Sequence, residues 1–149
     1  MTYQDRNNVV SILINLSVDA YIILKLLEMN AAGLFDGPDA VNVWARMVVW
    51  VIPISIAATI GGTILFNIAY AIFTGDPKPS FKVDERDRMF DMRSFVAVAV
   101  FAGGGFVLTI IGLAIGWSAL TGFNIIFFSM ALGSLASDVV KFISYRRGY

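Results

Sequence analysis

The chain has 149 residues, 58% hydrophobic and only 15% charged, with zero net charge and a mean hydropathy of +0.75. A soluble domain carries about a quarter charged residues, so the apolar excess points to membrane spans within a single domain, residues 1–149. Cysteine and histidine are both absent, which excludes disulfides, Cys-based zinc sites, iron–sulfur clusters and His-ligated haem, and removes the commonest general base.

The first span is expected over residues 9–29. Asp19 and Lys25 interrupt it, where a signal peptide would be uniformly apolar, so it reads as a retained span. Ser11, Asn15 and Asp19 recur every four residues and form a polar stripe on one helix face. A carboxylate this deep in a bilayer is costly and usually has a partner or a task. Two readings are open: a proton or cation site, or a network of interhelical hydrogen bonds. Lys25 and Glu28 read as an interfacial pair.

The second span is expected over residues 45–73, with 27 residues from Met47 to Phe73 free of charge. At about 1.5 Å per residue that is roughly 40 Å, so it must tilt, kink or project, and Pro53 is the obvious kink point. Thr59, Thr63 and Asn67 repeat the four-residue spacing and would supply donors to Asp19 if this face met the first helix. Threonines also bond their own helix carbonyls, which makes packing the plainer reading.

Residues 74–94 form the expected cytoplasmic connection. Pro77 and Pro79 hold its first part in a turn. Helix follows from Asp84, which can cap it and pair with Arg88, with acids crowding the first turn. The third span is expected over residues 95–117 and the fourth over 123–143. The third is thin: Gly103, Gly104, Gly105, Gly112 and Gly116 lie in it, and Gly133 in the fourth. Gly112 and Gly116 have the spacing of a close-packing motif. Asp138 and Lys141, three residues apart near the end of the fourth span, read as an ion pair, with Arg86 or Arg88 as alternative partners for Asp138.

Basic residues favour the cytoplasm. Lys78, Lys82, Arg86, Arg88, Arg93, Lys141, Arg146 and Arg147 fall at one set of connections, whereas the other two connections are poor in bases. The fold class expected is therefore an all-α, four-helix transmembrane bundle with both termini cytoplasmic. Trp44, Trp50 and Trp117 would mark the outer ends.

Two short motifs carry a resemblance: Asp84-Glu85-Arg86-Asp87 before the third span, and Asp138 and Lys141 followed by Tyr145-Arg146-Arg147-Gly148. Together they resemble a family of small four-helix bacterial inner-membrane proteins of unknown function, with an ERD-type cytoplasmic motif and a terminal YRRG. That family commonly has glutamate where this chain has Asp138. The resemblance implies a bacterial inner membrane and assigns no reaction.

With neither histidine nor cysteine, no nucleophile–base pair can be assembled short of unusual carboxylate chemistry, and the glycines lack the lysine and strand context of a phosphate loop. The function expected is a non-enzymatic accessory or interaction subunit, packing against another membrane protein or itself. The alternative is a small dimeric ion- or proton-coupled transporter using Asp19. No cofactor, metal or nucleic acid is expected. The expected partners are the lipid bilayer and either another membrane protein or a second copy.

Overall fold

The computed structural model describes residues 3–75 and 85–147. They form four long helices and no strand: α1 (Tyr3–Ala31), α2 (Ala40–Thr74), α3 (Glu85–Ala114) and α4 (Ala119–Arg147). All four are long and apolar enough to cross a membrane, which supports a multi-pass membrane protein. A bilayer core about 30 Å thick needs roughly 20 apolar residues. These helices have 29, 35, 30 and 29 and so extend past it. Most large apolar side chains on their outer surfaces are exposed, as lipid-facing helices require.

The charge-rich stretch before the third span is not a separate helix. From Glu85 onward it is the first turns of α3 itself. Asp84, with its expected cap and its pairing with Arg88, lies outside the described residues. Pro53 sits within α2, which stays helical on both sides of it. The helix tolerates this because proline removes a single ladder bond.

Both chain reversals at one end of the bundle depend on glycine. At the end of α1, Gly33 (φ 70°) donates to the Asn30 carbonyl, and Leu34 donates to that of Met29. At the end of α3, Gly116 (φ 94°) donates to Leu113, and Trp117 to Gly112. Both close the last helical carbonyls with a residue in the left-handed region, where a Cβ is strained. Ser118 then caps α4: its Oγ accepts from the Thr121 amide at 3.1 Å.

Cross-helix pairs fix the topology. Asn8 meets Asp138 and Asn15 meets Ser134, so α1 and α4 are antiparallel. Asn67 meets Asn7, which makes α1 and α2 antiparallel. Tyr145 meets Asp87, while Thr109 reaches Gly122, so α3 and α4 are antiparallel too. The bundle runs up-down-up-down. Tyr3, Thr74, Glu85 and Arg147 share one end, and the two glycine reversals share the other. The other three helices all pack on α4, whose most extensive neighbour is α3.

The α3–α4 contact is close because small residues face it. A Cβ on Gly105 would overlap the Ser129 side chain, and one on Gly133 would stand 3.2 Å from Phe101 Cβ and Val98 Cα. The other glycines depart from the expected packing stripe. Gly103 and Gly104 face open space, Gly112 receives the Trp117 ring, and Gly116 makes the reversal. Gly112 and Gly116 therefore form no helix–helix motif, because α3 ends between them.

Trp44 lies at the expected outer end, four residues into α2, but faces the bundle interior. It is buried, with its indole N–H donating to Asn124 Oδ1 at 2.9 Å and its ring stacked on Phe123. This ties the start of α2 to α4. Trp50 is 72% exposed and fits the boundary role.

Candidate functional site

The polar residues of the interior gather at the end that holds the chain termini. Asp138, buried on α4, is their centre. Its Oδ2 accepts from Asn15 Nδ2 at 2.7 Å and from Ser11 Oγ at 3.0 Å, and its backbone carbonyl accepts from Asn8 Nδ2 at 2.8 Å. Three residues from α1, at successive helical turns, thus converge on one residue of α4. No described residue bonds Asp138 Oδ1.

One turn further along α4, Lys141 pairs with Asp91 of α3 at 2.8 Å. The expected ion pair between Asp138 and Lys141 is not the one formed, and neither Arg86 nor Arg88 reaches Asp138. The spacing on α4 was suitable, but Lys141 reaches a carboxylate on the neighbouring helix, while Asp138 is already held by amide and hydroxyl donors. Tyr145 completes the sequence: its hydroxyl donates to Asp87 Oδ1 at 2.8 Å, and its ring meets Phe90 edge-on at 5.1 Å. Phe90 is 1% exposed, and the Arg86 guanidinium lies 5.6 Å from its ring centroid. The two motifs noted in the sequence are therefore neighbours in space, with Glu85 exposed at the start of α3.

Asn7, Ser11, Asp91, Asp138, Lys141 and Tyr145 line a cleft of about 190 Å³ between α1, α3 and α4. Its wall carries two carboxylates and one ammonium. A cleft of that size and polarity has room for water. Among the described residues no group of three or more acidic side chains is placed to hold a metal ion.

The second polar feature is Asp19. Ser11 and Asn15 lie on its own helix face, but both donate to Asp138. The α2 stripe does not reach it either. Thr59 bonds the Ser55 carbonyl, Asn67 bonds the Thr63 carbonyl, and the amide of Asn67 also donates to Asn7. The expected single cluster of Ser11, Asn15, Asp19, Thr59, Thr63 and Asn67 is therefore divided. Ser11 and Asn15 belong to the Asp138 site, and Asn67 belongs to the α1–α2 contact. Thr59 is exposed, and Asp19 is left without a hydrogen bond or ion pair to any described residue.

Asp19 is half-buried and lies about 18 Å from the Ala31 end of α1 by helix rise. It continues the row Asn15, Asp19, Ile23, whose neighbours Ile23 and Leu27 border a cleft against Asn124 and Phe128 of α4. The α2-facing row of α1 instead includes Tyr21, Lys25 and Met29. Asp19 therefore stands on the α4 side of α1, turned away from α2.

Sequence reasoning missed Asn7, Asn8, Asp91 and Ser134 as parts of the polar site. Asn8 alone carried a usable signal: its spacing of three from Ser11 and seven from Asn15 extends the polar stripe of the first helix. Compared with known protein families, curated proteins and solved structures, the chain matches none.

Proposed function

We propose that the chain is an interaction subunit of a membrane assembly, without catalytic activity, that packs through the Asp19 side of α1 and α4 against a second copy or another membrane protein. The observation that carries this reading is Asp19: an acid near the middle of a span, open on one side and lacking any partner among the described residues. A carboxyl in hydrocarbon costs several kcal/mol unless a donor or cation meets it. An adjoining subunit supplies that donor. Exposed glycine at Gly103 and Gly104 adds a second thin surface on α3. The clustering of basic residues at the termini end supports a cytoplasmic placement of both termini, and with the motif resemblance it supports a bacterial inner membrane.

The native chain has no cysteine, so single-cysteine variants report cleanly. Leu16→Cys and Ile23→Cys flank Asp19. Oxidative or bifunctional crosslinking in native membranes should yield a dimer or a discrete larger adduct from these positions and not from Ile72→Cys on α2. A chain that remains monomeric from every position would sink the proposal.

A second reading has its own observation. The same unpartnered carboxyl, together with the polar cleft lined by Asp138, Asp91 and Lys141, favours a dimeric ion- or proton-coupled transporter. Proton-coupled flux in proteoliposomes that disappears in a folded Asp19→Asn protein would put this reading first.

A further inference from the structure

At the end of the bundle opposite the termini, α1 and α2 enclose a cleft of about 380 Å³. Two cations, Lys25 and Arg46, stand in its wall, and the rest is built from side chains such as Tyr21, Met29, Trp50 and Ile54. Lys25 and Arg46 lie at matching depths. Each is about 9 Å from its helix end by helix rise. Since α1 is about 43 Å long against a bilayer core of about 30 Å, that depth is near the boundary between hydrocarbon and headgroups. Lys25 is already paired with Glu28 at 2.9 Å. Arg46 has no ion pair or hydrogen bond with any described residue, and the first turn of α2 carries no acid. Beyond the two cations the cleft opens between exposed aromatic and apolar groups, with Tyr21 50%, Trp50 72% and Ile54 46% exposed.

A fixed positive charge at headgroup depth above an apolar furrow matches a molecule that is anionic at one end and hydrocarbon at the other. We infer that this cleft seats one anionic phospholipid. Its phosphate meets Arg46 and Lys25, and an acyl chain lies along Tyr21, Trp50 and Ile54. Arginine is suited to the role because its planar fork presents several N–H donors to phosphate oxygens. A lipid there would also fill the space that α1 and α2 leave between them. The inference requires that the chain sit in a bilayer, and it stands whether or not Asp19 contacts a partner.

The test uses the full chain in mild detergent with equal amounts of phosphatidylglycerol and phosphatidylcholine, and native mass spectrometry reads the retained lipid. One phosphatidylglycerol should be held in preference. Arg46→Gln should weaken its retention about fivefold, the effect of one cation near a lipid surface. Arg88→Gln, at the opposite end, should leave it unchanged. A second measurement needs no charge variant. Brominated phosphatidylglycerol should quench the tryptophan fluorescence of the native chain more than brominated phosphatidylcholine does, and Trp50→Phe should remove the excess. Equal retention of both lipids overturns the inference. So does an equal loss in Arg88→Gln, an excess that survives Trp50→Phe, or full displacement of the lipid by free glycerol phosphate.

Discussion

A single carboxyl sets the energetics at each of the two polar features, and the two differ in what surrounds them. Asp138 accepts from Ser11 and Asn15 across the α1–α4 contact. Interhelical hydrogen bonds in membranes contribute about 0.6 kcal/mol each, so Asp138→Leu should destabilise the bundle by roughly 1–2 kcal/mol, more if the stranded donors stay dry. Asp138→Asn keeps an acceptor and should cost less. Thermal unfolding in detergent would rank them, and equal midpoints for the Leu and Asn variants would remove Asp138 from its structural role. Asp19 should behave oppositely. Since Asp19 has no partner among the described residues, Asp19→Leu should leave the isolated protein at least as stable as before and reduce only its assembly, read as crosslinked product in membranes. A large loss of stability in the monomer would mean that Asp19 has a partner inside the chain. That an acid lies deep in α1 was legible from its apolar flanks. Which residues turn toward it was not, because four-residue spacing places Ser11, Asn15 and Asp19 on one helix face without saying which helix covers each turn.

At the level of the helices, small residues decide how closely α3 approaches α4. Gly105→Leu and Gly133→Leu insert bulk where Ser129, Val98 and Phe101 already stand. Overpacking of this kind costs about 1–3 kcal/mol. Gly103→Leu adds a side chain into open space and should leave the monomer unaffected, so its effect on crosslinking isolates any role of that surface in assembly. Detergent melting curves for the three variants provide the comparison, and a Gly105→Leu protein as stable as the native one would contradict the close contact. The third helix was recognisable as thin from its glycines alone. Their separate roles were not, because Gly105 and Gly103 differ only in which side of the helix they occupy, and Gly116 differs from Gly112 in lying beyond the helix end. The N-terminal cap at Ser118 carried a signal in Ser118 and Thr121 that the apolar run beginning at Phe123 masked.

Over the whole molecule, four spans were legible because hydropathy and length suffice for them. The arrangement in which α4 contacts every other helix was not, since apolar faces alone do not name their neighbours. The topology yields a prediction in which the two parts of the argument can fail separately. In the up-down-up-down bundle, Gly75 and Arg147 lie at one end, and Gly37 lies at the other. The described basic residues divide in the same way: Arg6, Arg86, Arg88, Arg93, Lys141, Arg146 and Arg147 lie toward the first end, and Lys25 and Arg46 toward the second. Because Lys and Arg near span ends are retained in the cytoplasm, a fluorescent reporter fused at Gly75 or Tyr149 should fold as a cytoplasmic protein. A phosphatase reporter at Gly37 should be active outside. If all three results reverse together, the bundle stands and the orientation is wrong. If Gly75 and Tyr149 report opposite sides, the number of spans between them is odd, and α3 and α4 do not both cross the membrane.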